Sequence, residues 1–179
     1  MPDLSRVAAG LLAKCRERVL PLTQSAEPEA QALTELQAHS PESLFPQVRN
    51  AEVAYSALLL RLGAWEASHD LTNDDESPEG CFLHAIIHRM EPNLSNSAYW
   101  WRKLGQHTVF PQLHARAQEI LSEHSVRDWE LKAAWDPLLF NKWCEQAQRS
   151  PGSEREKAAL AIQQAEWELL FNWSAERAN

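Results

Sequence analysis

The sequence has few of the features that build a β-sheet. It contains only 5 glycines in 179 residues, and no run in which Val, Ile or Thr alternates with polar residues. Apolar residues still make up 44% of the chain, which is enough for a substantial core. These proportions predict an all-α protein, and the length predicts one domain spanning residues 1–179.

The chain also lacks the cysteine patterns of disulfide-rich and zinc-finger proteins. Its three cysteines, Cys15, Cys81 and Cys144, are an odd number without CxxC spacing. We therefore expect each of them to be a small buried apolar residue. A nucleophile elbow and a glycine-rich phosphate loop are absent too, so no common catalytic motif assigns a reaction.

A cluster of basic residues is missing as well. The formal net charge is −8, so a nucleic-acid backbone would be repelled, and we expect no nucleic-acid partner. No stretch approaches the roughly 20 apolar residues that span a bilayer. Arg6, Lys14, Arg16 and Arg18 interrupt the apolar residues near the N-terminus, which argues against a secretory signal. The expected location is the cytoplasm, without a membrane partner.

What the chain does contain is the apolar spacing of amphipathic helices, along most of its length. This spacing predicts roughly seven to nine helices. The longer segments are 4–20, 48–62, 81–91, 94–104, 111–124, 138–148 and 154–175, and shorter ones are 29–38, 65–71 and 128–135. We expect a helical bundle centred on a hairpin at residues 80–105, in which Asn93 caps the second helix and Gly105 ends it. The long C-terminal helix, 154–175, is expected to pack against this hairpin.

One stripe of the first hairpin helix is polar. At about 100° per residue, Cys81, His84, His88 and Glu91 share this stripe. Two histidines one turn apart can bind one metal ion, and Glu91 lies where a third ligand would be placed. Ala85 stands where the zinc metalloprotease motif requires glutamate, so the stripe is not that motif.

Two further histidines flank the hairpin. His69 precedes it and His107 follows it, and both converge on the stripe if the helices pack as neighbours. The set His69, His84, His88, Glu91 and His107 therefore predicts a site for a divalent transition metal. The alternative is that these histidines hydrogen-bond one another and backbone carbonyls in a crowded core.

Polar residues on other helices extend this candidate site. Asn96, Tyr99 and Arg102 lie on the second hairpin helix, where they suit an anionic or aromatic ligand. Glu166 lies inside the apolar stripe of the C-terminal helix, so it requires a partner such as Arg89, Arg102 or a histidine-bound metal. The alternative for both groups is structural, as hydrogen bonds within the hairpin and a buried ion pair.

The same residues carry a resemblance to an uncharacterised family of small proteins. The family pattern is a His-Ala-x-x-His-Arg-x-Glu run followed by Asn-x-x-Tyr-Trp and Gly-x-His, and the matching positions are His84, Ala85, His88, Arg89, Glu91, Asn96, Tyr99, Trp100, Gly105 and His107. The likeness extends from about residue 54 to residue 173. The chain departs from the pattern at Asn93, where the family has Asp, and at Thr108, where it has Pro, and the first departure removes a candidate carboxylate ligand. No activity is established for that family, so the resemblance implies which residues to test and no reaction.

The sequence supports two functional hypotheses. In the first, the chain is a soluble protein with a His/Glu-lined site for a metal ion or a small-molecule ligand, and metal-assisted hydrolysis is its simplest reaction. In the second, it is a TPR-like interaction protein, because segments 48–71 and 81–104 are each two helices around a tight break. An open cavity at the histidines favours the first hypothesis, whereas a sealed, mutually hydrogen-bonded cluster favours the second.

Overall fold

The computed structural model describes residues 6–24 and 27–178 of the chain. Within these residues the protein is all-α, with ten helices and no β-strand. The helices are α1 (Arg6–Arg16), α2 (Ala30–Gln37), α3 (Pro41–Leu44), α4 (Ala51–Arg61), α5 (Trp65–Thr72), α6 (Pro78–Met90), α7 (Leu94–Leu104), α8 (Phe110–Glu123), α9 (Pro137–Gln148) and α10 (Glu154–Ser174). Leu4, the predicted start of the first helix, lies outside the described residues. None of the described helices has both the length and the hydropathy needed to cross a bilayer.

The helices that hold the candidate residues begin at side-chain caps. The Ser77 hydroxyl oxygen accepts the backbone N–H of Gly80 at the start of α6, and the Asn93 side chain accepts that of Asn96 at the start of α7. Gly105 follows α7 with a φ of 70°, a conformation that glycine adopts without steric cost. The predicted cap and stop of α7 are thereby confirmed, and its bounds agree with the predicted 94–104.

The hydrophobic core is centred on α4 and α6. Every residue of α6 from Gly80 to Met90 is buried, and so is every residue of α4 from Val53 to Arg61. A helix buried on all sides has neighbours on all sides, and α6 packs against α4, α5, α7 and α10. The expected contact between the hairpin and the C-terminal helix is therefore present. The three cysteines are buried and unpaired, as expected from their spacing.

Two parts of the helix assignment differ from expectation. The short α3 has no counterpart among the predicted helices, although Ser40 caps it and Pro41 opens it. Conversely, residues 128–135 form an irregular segment, so the predicted helix there is wrong. Trp129 anchors this segment by stacking on Trp143, with ring centroids 5.0 Å apart, and by donating its indole N–H to Gln146. Trp135 packs separately on Phe140 of α9, with ring centroids 5.3 Å apart, so the two tryptophans are buried without a helix.

Candidate metal centre

Three histidines converge where α5 meets α6. His69 comes from α5, while His84 and His88 lie one turn apart on α6, and one ring nitrogen from each falls within 4.8 Å of the others. The rings of His84 and His88 stack with centroids 4.7 Å apart. The His69 ring stands edge-on to both, at 4.8 Å and 5.1 Å. We call these three residues the histidine cluster.

Hydrogen bonds fix which nitrogen of each α6 histidine carries a proton. Nδ1 of His84 lies 3.2 Å from the carbonyl oxygen of Thr72, and Nδ1 of His88 lies 2.8 Å from Glu91 Oε2. A carbonyl and a carboxylate only accept hydrogen bonds, so both Nδ1 atoms are donors. In the neutral imidazole the remaining nitrogen, Nε2, then presents a lone pair.

The two Nε2 lone pairs meet different donors. Nε2 of His84 lies 3.2 Å from Nε2 of His69, which must donate the proton of that contact. Nε2 of His88 accepts from the side-chain amide of Asn96 on α7 at 2.9 Å. Asn96 therefore borders the histidine cluster.

Two tryptophans form the walls of the histidine cluster. Trp65 stacks on His69 with ring centroids 5.2 Å apart, and Trp100 stacks on His84 at 4.1 Å. The indole N–H of Trp65 donates to the carbonyl of Ile87, which fixes that wall to α6. Trp65 precedes His69 by four residues, and Trp100 follows Asn96, which borders the cluster, by four residues, so helical spacing places each indole beside its neighbour.

The cluster is buried except on one side. His84 and His88 expose 1% and 5% of their surface, whereas the His69 side chain exposes 23%. Burial lowers the pKa of His84 to about 4, with smaller contributions from His88 and His69. Burial also lowers the pKa of His88, against the hydrogen bond to Glu91 that favours its charged form. Both α6 histidines are therefore neutral at pH 7, which is the state that binds metals.

His107 lies apart from the histidine cluster. It packs edge-on against Phe82 and Trp173, with ring centroids 5.2 Å and 5.6 Å away, and its Nε2 lies 4.0 Å from Glu79 Oε1. Phe82 precedes His84 by two residues, which is about 200° around a helix, so it occupies the opposite face of α6. The chain after Gly105 leads to that opposite face, so the structure does not bring His107 together with the other predicted ligands.

Glu166 pairs with Arg89 and not with the cluster. The guanidinium Nη1 of Arg89 lies 3.4 Å from Glu166 Oε1, Nη2 bonds Oε2, and the Nε atom donates to Gln163. Arg89 and Glu166 are both fully buried. Of the partners considered from the sequence, the structure therefore selects Arg89, and the group joins α6 to α10.

The other predicted ligand-binding residues of α7 face solvent. Tyr99 is 54% exposed and contacts Trp100 edge-on, and Arg102 is also exposed. The expected pairing of Arg102 with a buried carboxylate is therefore absent among the described residues.

Thr72 was not a candidate from the sequence. It contacts Nδ1 of His84 through its backbone carbonyl, and every residue type has such a group, so no sequence signal could have identified it.

No family model, no curated protein and no solved structure matches this chain. Three imidazoles with converging nitrogens form an all-nitrogen donor set, which suits Zn, Cu, Ni or Fe better than Mg or Ca.

Proposed function

We propose that this protein binds one divalent transition-metal ion through Nε2 of His69, His84 and His88. The observation that carries the proposal is the orientation of the rings. Metal-bound histidines almost always donate their outer N–H to a carbonyl or a carboxylate, and Thr72 and Glu91 accept those protons here. For His69, the nearest such group is Asp70, with Oδ1 3.9 Å from Nδ1.

The spacing of His69 and His84 suits a tetrahedral ion, and His88, whose ring nitrogen lies within 4.8 Å of the other two, would complete the set. Bonds of about 2.0–2.1 Å from zinc to nitrogen place two ligand nitrogens of a tetrahedron about 3.3 Å apart. The Nε2 atoms of His69 and His84 are 3.2 Å apart. An ion bound between them requires the His69 proton to move from Nε2 to Nδ1, on the side of Asp70.

Three protein ligands leave a fourth position for water, which is the arrangement of catalytic zinc sites. Metal-assisted hydrolysis of a small-molecule substrate is therefore the reaction that we propose for the site. Binding to His88 replaces the hydrogen bond from Asn96, so the Asn96 amide borders the water position. The side of the cluster where His69 is exposed is the route by which ion and substrate enter.

The test is elemental analysis of protein purified without a His tag. We expect about one zinc, copper, nickel or iron per chain after loading, lost in His84→Ala and His88→Ala. His69→Gln is the variant of a partly exposed ligand, so it tests the site with little disturbance of the core. His107→Ala is the matched control, since it removes a buried histidine outside the cluster and should retain the metal.

Absence of bound metal after incubation with each ion contradicts the proposal, and so does equal retention in His69→Gln and the unmodified chain. Circular dichroism separates loss of a ligand from loss of the fold. Hydrolysis is tested on the loaded protein with model carboxylic and phosphoric esters. Activity that survives in His69→Gln contradicts the reaction but not the metal site.

The second candidate is a TPR-like interaction protein in which the cluster is structural. Pairwise packing supports it, because α4 packs mainly against α5 and α6 against α7, while α5 contacts α6. Mutual hydrogen bonding within the cluster also fits this candidate. Under it, metal leaves the thermal midpoint of unfolding unchanged, and His84→Ala lowers that midpoint equally with and without metal.

A further inference from the structure

Arg61 is a buried cation whose charge no described carboxylate pairs. It is the last residue of α4 and exposes 2% of its surface. Its Nε donates to the carbonyl of Cys15 at 2.8 Å and its Nη2 to the carbonyl of Arg18, so the end of α1 compensates part of the charge. Nη1 has no acceptor within residues 6–24 and 27–178. Burial lowers the pKa of Arg61 to about 10, which leaves it charged at neutral pH.

The same guanidinium borders a cleft that is positive in an otherwise acidic protein. The cleft has a volume of about 420 Å³, within the range of small-molecule sites, and lies between the C-terminal ends of α1 and α4 and one side of α10. Arg16, Arg18 and Lys157 line it together with Arg61. Two carboxylates also line it, one of which, Glu168, accepts the side-chain amide of Gln164 at 2.8 Å.

One wall of this basic cleft is apolar. Val19 and Leu160 line it, and Val19 exposes 66% of its surface, which is unusual for a large apolar residue in the described part of this chain. A second cavity of about 510 Å³ shares Arg18, Val19 and Leu160 with the cleft and continues the apolar wall to Leu22. A cleft with cations at one end and apolar side chains at the other matches an amphiphilic ligand, which has an anionic head and an apolar body.

We propose that the basic cleft binds an organic anion with a carboxylate or phosphate head and an aliphatic body. The head supplies the acceptor that Nη1 of Arg61 lacks. Arg16 adds a charge-assisted contact from the rim, and so does Lys157, whose Nζ also bonds Glu154 at 2.7 Å. The body covers Val19 and Leu160, removing apolar surface from water. The site is separate from the histidine cluster in the residues that line it.

Isothermal titration calorimetry with octyl phosphate and octanoate tests this proposal. Inorganic phosphate is the control for the head without the body, and 1-octanol is the control for the body without the charged head. Saturable binding of either amphiphilic anion is expected, with both fragments at least about tenfold weaker. The double variant Arg16→Gln/Lys157→Gln should weaken binding by about tenfold, because it removes two exposed cations without touching the core. Arg127→Gln/Lys142→Gln makes the same charge change at exposed positions outside the cleft and should bind like the unmodified chain.

Three results would overturn the proposal. The first is absence of binding of both amphiphilic anions at millimolar concentration. The second is equal binding in the two double variants, which would mean that the cleft cations do not hold the head. The third is binding of inorganic phosphate as tight as that of octyl phosphate, because the apolar wall would then contribute nothing.

Discussion

At the scale of single residues, the contact between His88 and Glu91 decides how the histidine cluster can act. The Glu91 side chain is 39% exposed, whereas that of His88 is 7% exposed, so a carboxylate that is partly in water orients a buried ring. If Nδ1 donates to Glu91, the lone pair of Nε2 points into the protein. In the proposed site, Glu91 would therefore orient His88 and would not itself be a ligand of the ion.

We expect Glu91→Ala to weaken zinc binding by about 10- to 100-fold, which is the usual loss when the partner of a metal-bound histidine is removed. Glu91→Gln retains an acceptor oxygen and should lose less. Competition titration against a chromophoric chelator measures the affinity. Glu130→Ala, at an exposed position on the irregular segment, is the control, and equal affinities in Glu91→Ala and this control would refute the orienting role.

His84 makes the metal-free protein sensitive to acid. Its pKa is about 4 in the folded chain and about 6.5 when unfolded, so the unfolded chain binds more protons between these values. The stability contribution is present above pH 6.5 and is lost as pH falls toward 4, by an amount on the order of 3 kcal/mol. Urea unfolding with a chelator present should show a steeper decline between pH 7 and pH 5 in the unmodified chain than in His84→Gln. Parallel declines would contradict the assignment.

At the scale of helices, Arg89, Gln163 and Glu166 join α6 to α10 through the core. The side-chain oxygen of Gln163 accepts a hydrogen bond from Nε of Arg89, and its amide nitrogen donates one to the carbonyl of Pro21 at 2.7 Å. The loop after α1 therefore belongs to the same network. A fully desolvated ion pair of this kind contributes little net stability, but removing one partner leaves a buried charge. We therefore expect the network to fix the relative position of α6 and α10 more than it adds to the free energy of unfolding.

Glu166→Ala should lower the free energy of unfolding by about 3–5 kcal/mol, because it strands the Arg89 guanidinium in the core. The double variant Arg89→Met/Glu166→Leu should recover most of that loss, since it removes both charges and keeps the volume. Chemical denaturation of the three proteins provides the comparison. A double variant less stable than Glu166→Ala would show that the charge pair itself is stabilising.

The helices could be predicted from the sequence where caps and stop residues determine their ends. The candidate site could be predicted only where residues share one helix, because helical geometry then determines their spacing. Asn93 and Gly105 set the ends of α7 by their own backbone chemistry, and the turn from His84 to His88 follows from helical periodicity. His69 joins them because α5 packs on α6. His107 does not join the cluster, because the chain after Gly105 packs on the opposite face of α6. No residue pattern in the sequence indicates which face that is. The irregular segment at 128–135 was mispredicted because Trp129 and Trp135 are buried by separate contacts with α9, and those contacts do not require a helix.

At the scale of the whole molecule, the proposed ion binding would be linked to folding. The proposed ligands come from α5 and α6, and α6 is the most buried helix of the described chain, so an unfolded chain does not present the site. An ion that binds only the folded state adds its binding free energy to the stability of the whole core.

Zinc at about 100 times its dissociation constant should therefore stabilise the fold by about 2.7 kcal/mol, or a rise of roughly 5–10 °C in the unfolding midpoint. Differential scanning fluorimetry of chelator-treated protein, with magnesium as the control ion, measures the shift. We expect no shift for magnesium, which disfavours nitrogen ligands. Equal shifts for both ions, or none in the unmodified chain, would contradict a site at the cluster.

The stacking of Trp65 and Trp100 on His69 and His84 has an optical consequence. Indole emission is quenched by electron transfer to a nearby electron acceptor, and these two of the eight tryptophans stack on imidazoles of the proposed ligands. We expect an ion with an incomplete d shell, such as Cu²⁺, to quench the fluorescence of both indoles, and Zn²⁺, whose d shell is filled, to leave it unquenched. If the proposed site binds an ion, these two tryptophans would report which metal it is, without an added label.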